Sequence, residues 1–166
     1  MKRILMMVAV FILSVTFYSH AFCAKINKVQ VNGGVPIQGY GLVIDASYDP
    51  RLDNLVPGYK LINVVIANSS FNIIGLDPQR DKWSIKVDGK SSPIKALHNL
   101  RGQDPKAWSA LPPRVKDVIG YPLLLPIGAR DVIDLFVPET LDLEKFTTVE
   151  IFLKSMNTKF EVMAGR

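Results

Sequence analysis

The stretch Tyr59–Ser70, YKLINVVIANSS, limits the fold more than any other part of this chain. Lys60, Ile62, Val64 and Ile66 alternate with Leu61, Asn63, Val65 and Ala67, so one face is apolar and the other nearly so. β-Branched residues dominate the run, and their stiff χ1 suits a pleated strand better than a helix. A strand that is apolar on both faces belongs in the middle of a packed β protein. The pattern predicts the central strand of a sandwich.

The flanking sequence repeats the period of two. Val29 and Val31 share a face within Ile26–Asn32, and Leu42, Ile44 and Ala46 do so within Tyr40–Ser47. Phe71–Leu76 reads as a short strand or an apolar plug under a loop. Trp83, Ile85 and Val87 alternate with Lys82, Ser84 and Lys86. Asp88-Gly89 is a strong hairpin signal, because both residues tolerate positive φ. Pro93 places the returning segment, Lys90–Leu97, at a sheet edge. Further strands are expected around Ile133, Leu135 and Val137, around Val149, Ile151 and Leu153, and around Phe160 and Val162, with turns at Pro126-Ile127-Gly128 and Asn157.

Asn99–Gly120 is the least strand-like region. Asp104 followed by Pro105 has the form of an N-cap with proline at the first helical position, and Pro112-Pro113 ends that turn. The segment reads as a short helical insertion between strands. Together these signals predict one all-β domain, an antiparallel β-sandwich of immunoglobulin type with about seven to nine short strands.

Three pieces resemble a bacterial family of exported immunoglobulin-like domains of unknown function, sometimes called telokin-like. They are Tyr59–Asn68, the strand Trp83–Lys90 ending in Asp-Gly-Lys, and Leu125–Ala129 leading into Val132–Val137. The resemblance spans roughly Tyr40 to Val162 and implies the immunoglobulin-like fold and an envelope location. Asn99–Gly120 departs from the family pattern, being longer than its connection. The resemblance brings no catalytic residues.

Residues 1–24 carry a basic start (Lys2, Arg3), a largely apolar run from Ile4 to Phe17 and small residues near Ala21 and Ala24. That is the layout of a secretory signal peptide, with cleavage after Ala21 or Ala24. The run is shorter than the roughly 20 residues a membrane span needs. The expected location is periplasmic or secreted, with the domain at 25–166 and no transmembrane segment after signal removal. Cys23 is the single cysteine, so an intramolecular disulfide is impossible and the core alone must stabilise the domain. His20 and Phe22 at the flanking positions argue against a lipoprotein site.

The chemistry-bearing residues are sparse. Only His98 lies beyond the signal, so a zinc or copper site is not expected, and His98 itself reads as a loop side chain. Asp45, Asp49 and Asp53 lack the alternate-residue spacing of a compact calcium loop. No G-x-S-x-G or P-loop is present, and a pairing of Ser155 with Lys154 or Lys159 has no supporting context. Neither a cofactor nor catalysis is expected.

Charge is more informative. Residues 79–116 hold nine basic and three acidic side chains, and residues 117–166 hold five and eight. Arg101, Lys106, Trp108, Arg114 and Lys116 all fall on the insertion, where a β-sandwich usually places binding groups. Cations beside an indole suit an anionic partner, such as a lipid headgroup, an acidic glycan or an acidic protein surface. Nucleic acid is not expected for an exported domain of modest charge. The sequence thus points to a non-catalytic module that recognises a protein or anionic envelope component. The alternative is a structural subunit of an envelope or cell-surface assembly. The oligomeric state is left open.

Overall fold

In a computed structural model, described over residues 27–31, 34–87 and 92–164, the strands are β1 (Asn27–Val31), β2 (Leu42–Tyr48), β3 (Tyr59–Asn68), β4 (Ile74–Gly75), β5 (Lys82–Val87), β6 (Ile94–Ala96), β7 (Leu124–Leu125), β8 (Arg130–Pro138), β9 (Phe146–Leu153) and β10 (Thr158–Met163). Three short helices, Leu100–Gln103, Pro105–Ala110 and Pro113–Lys116, lie between β6 and β7. The protein is all-β in character. The signal-peptide reading, Cys23 and the Asp88-Gly89 turn fall outside the described residues.

β3 is central in the literal sense, hydrogen-bonded to β2 on one side and to β8 on the other. A second sheet runs in the order β1-β10-β9-β5-β6, and β4 and β7 make a two-stranded ribbon. The ten strands among the described residues exceed the expected seven to nine, and two of the ten are the two-residue members of that ribbon.

One expectation is corrected. β1 runs parallel to β10, so the sheets are not wholly antiparallel. The alternation in β1 reports which face is buried and carries no information on direction. Parallel neighbours need a long connection, and here nearly the whole domain separates the two strands.

The inward faces of the two larger sheets meet in one core. Ile62, Val64 and Ile66 of β3 join Leu42 and Ile44 of β2, Ile133 and Leu135 of β8, and Trp83, Ile151 and Phe160 of the larger sheet. Each such aliphatic side chain contributes about 1.5–3 kcal/mol through burial. The sheets are also stitched at two corners. Leu97 and Phe136 exchange both backbone hydrogen bonds, at 2.9 and 2.7 Å, and Ala46 forms a parallel bridge with Ala164.

The opposite face of β3 explains its second apolar side. Leu61 and Phe136 form a smaller cluster with Val56, Leu100, Leu111 and Ile119, the last three contributed by the helical segment. The insertion is therefore part of the packed structure. It covers the outer face of the three-stranded sheet, with Trp108 half-buried against the same cluster.

The outward face of the larger sheet is held by charge. Glu150 on β9 receives Lys86 at 2.8 Å and Lys159 at 2.6 Å, and Glu161 receives Lys28 at 2.9 Å. Burial would push the Glu150 carboxyl up, but hydrogen bonds from Lys159 and then Lys86 outweigh it and bring it down to about 2.

Candidate functional site

The helical segment is built from local rules. Asn99 accepts from the Gly102 amide at 3.2 Å and caps the first helix. The Gln103 side chain reaches back to the amides of His98 and Asn99, at 2.8 and 2.9 Å. Asp104 caps the second helix by accepting from the Ala107 amide at 3.0 Å, as its place before Pro105 predicts. Its other carboxylate oxygen accepts from the Tyr59 hydroxyl at 2.6 Å, which ties the helices to β3.

These turns enclose a cleft of about 310 Å³ lined by Pro78, His98, Asn99, Leu100, Arg101, Trp108, Lys116, Ile119, Gly120 and Tyr121. Of the five residues singled out from sequence, Arg101, Trp108 and Lys116 meet here. Lys106 and Arg114 are exposed on the helical segment and do not line the cleft. Lys116 Nζ donates to the Ser109 carbonyl at 3.1 Å, which fixes the ammonium near the wall. No carboxylate is among the lining residues.

The floor is rigid. Tyr121 donates to Asp81 Oδ2 at 2.7 Å and accepts from Trp83 Nε1 at 3.2 Å. Asp81 is buried, and it also accepts from the backbone amides of Asp77 and Lys154, both at 2.8 Å. Burial, followed by the charge of Asp81, raises the Tyr121 phenol far above its ordinary value. The hydroxyl is therefore a permanent donor to that carboxylate.

His98 lies in a connection, as its sequence reading expects, but not in solvent. It follows β6 on a bend, yet it is only 4% exposed. Its ring packs edge-on against Tyr121, with centroids 4.8 Å apart, and Nε2 lies 3.0 Å from the Pro78 carbonyl. Burial lowers its basicity, so the neutral ring donates from Nε2. Nδ1 is buried with no hydrogen-bond partner among the described residues. A lone histidine in a polar stretch carries no sign of this, because Tyr121 and Pro78 come from distant parts of the chain.

What the cleft offers a ligand is two cations, the indole of Trp108 and the amide of Asn99, set over a fixed aromatic floor. Asp45, Asp49 and Asp53 are spent elsewhere: Asp49 pairs with Arg51, Asp53 accepts from Tyr48, and Asp45 accepts from the Ala46 amide. Among the described residues, no group of three or more His, Cys, Asp or Glu side chains is arranged to hold a metal ion. Lys159, once a possible partner of Ser155, is bound to Glu150. No helix among the described residues is long and apolar enough to cross a membrane. Comparison with protein-family models, with curated proteins and with solved structures found no match.

Proposed function

We propose that this chain is an exported, non-catalytic immunoglobulin-like module, similar to the telokin-like domains, that recognises an anionic component of the envelope or cell surface. Recognition takes place in the Arg101–Trp108–Lys116 cleft. The observation that carries this reading is the lining itself, two cations and an indole with no carboxylate to neutralise them. Such a site favours a carboxylate or phosphate group lying along a flat apolar wall. Periplasmic or secreted location rests on the layout of residues 1–24. The immunoglobulin-type sandwich draws support from two large sheets that share one core.

The test is crosslinked capture from intact envelopes with two charge-reversed variants run beside the wild type. Arg101→Glu with Lys116→Glu alters the cleft, whereas Lys106→Glu with Arg114→Glu alters the same helices outside it. A partner lost only with the first pair supports the reading. Equal loss with both pairs would mean a diffuse basic surface, and retention with both would remove the cleft as the site.

A second reading, a structural subunit of a surface assembly, is favoured by a different feature, the exposed apolar side chains around β4 and β7.

A further inference from the structure

Residues 61–76 and 118–129 contain no Asp, Glu, Lys or Arg. The fold brings the ends of these segments together as the β4–β7 ribbon, where Gly75 pairs with Leu124 and the Leu76 amide donates to Leu123 O at 2.9 Å. Five large apolar side chains are exposed on it and on the residues that flank it: Phe71 (93% exposed), Leu123 (63%), Ile73 (62%), Leu124 (61%) and Ile127 (57%). Isolated exposed leucines mean little, but five large apolar side chains within two short adjoining segments are the kind of surface that interaction sites use.

Their exposure is held in place by Asn68, the last residue of β3, which is 1% exposed. Its Nδ2 donates to Asn72 O at 2.7 Å and Leu125 O at 2.9 Å, while Oδ1 accepts from the amide and the hydroxyl of Ser70. All four hydrogen-bonding positions of the side-chain amide are filled. The Asn68 carbonyl also accepts from the Gly128 amide at 2.8 Å, which holds the turn carrying Ile127. One buried amide therefore orders both halves of the apolar surface, and little conformational entropy remains to be lost on docking.

We infer that this ribbon is where a second copy of the chain docks, forming a two-fold dimer. Three features select that occupant. First, two copies carry the same net positive charge, +5 over the whole chain and 5 − 2 = +3 once Lys2 and Arg3 leave with the signal, and the ribbon is a face on which neither copy presents charge. Second, the surface carries both a projection and a recess. Phe71 and Ile73 form one wall of a groove of about 580 Å³ whose other side is lined by Tyr40, Gly41 and Met156. A projection next to a recess on one face is what an isologous contact requires. Third, five large apolar side chains, each more than half exposed, supply the apolar centre that a stable pair burying roughly 800 Å² per partner requires. This surface is separate from the cationic cleft and does not depend on its role.

The test is sedimentation of the protein across the micromolar range, produced from the full-length gene in a secreting host and with its N-terminus read by mass spectrometry. The wild type is expected to dimerise, and Phe71→Ser and Leu124→Lys should each raise the dissociation constant at least about tenfold. Both positions are exposed, so the thermal midpoint measured at low concentration should stay the same. A wild type that is monomeric throughout overturns the proposal, as does a dimer that both variants leave intact. Flotation of a monomeric wild type with neutral phosphatidylcholine vesicles would assign the ribbon to a lipid surface and likewise overturn it.

Discussion

The Tyr59 hydroxyl donates to Asp104 Oδ2 at 2.6 Å, joining the first residue of the central strand to the residue that caps the helix Pro105–Ala110. The contact spans 45 residues of sequence. It pushes the Tyr59 phenol up to about 12, with burial adding to the effect. The Ala107 amide and then this hydroxyl lower the Asp104 carboxyl. The cleft therefore depends on a clamp that none of its lining residues supplies.

Removing that clamp should loosen the helices and leave the sheets intact. Tyr59→Phe is expected to lower the thermal midpoint by about 2–4 °C. It should also speed hydrogen exchange at the Ala107 amide relative to amides of β9. Equal protection at both sites would mean that the helices are held by the apolar cluster alone.

Val64 lies at the centre of β3, fully buried between the two large sheets. Val64→Asp introduces a charge with no partner, so a folded product is not expected. A soluble variant with native near-ultraviolet dichroism would overturn this placement.

Gly41 has φ of +61°, and a Cβ built there would sit 2.6 Å from the Ser70 Cβ and 2.7 Å from its Cα. The Ser69 amide also donates to Gly41 O at 2.6 Å, so the two segments have little room to separate. Gly41→Ala should cost about 1–3 kcal/mol in urea unfolding. Gly39→Ala, at φ of +83° with nothing within 4 Å, carries the backbone strain without the collision and should cost less. Equal losses would show that the close approach to Ser70 relaxes freely.

The Glu150 carboxyl is lowered in the folded protein, so its contribution to stability is complete above the ordinary glutamate range near pH 4.5. That contribution disappears as pH falls towards about 2. Glu150→Gln should thus be less stable than the wild type at neutral pH, and the gap should close between about pH 4.5 and 2. Thermal midpoints of both proteins across that range provide the check. A gap that persists unchanged at pH 2 would mean the loss is not ionic.

Much of the strand pattern was legible because a period of two reports burial directly. Ile62, Val64 and Ile66, then Trp83, Ile85 and Val87, then Val149, Ile151 and Leu153 all lie in the core as their spacing predicts. Local capping rules likewise located the helix after Asp104. The parallel direction of β1 was not legible, since alternation is the same read either way. The burial of His98 was also hidden, because its neighbours Tyr121 and Pro78 lie about twenty residues away on either side. For the same reason Lys106 and Arg114 could not be told apart from Arg101 and Lys116 by composition. All four fall on one basic stretch, and only two face the cleft.

The sequence by itself determined that the chain is all-β, which residues face inward along each strand, and that the polar middle segment interrupts the strands. Those properties depend on neighbours within a few residues, where periodicity and capping operate. Tertiary structure alone decided that this segment covers the outer face of β3, that Asn68 gathers two uncharged segments into one exposed ribbon, and that three of five candidate residues share a cleft. Each of these depends on pairings between segments far apart in the chain, and their partners are selected by packing rather than by local preference.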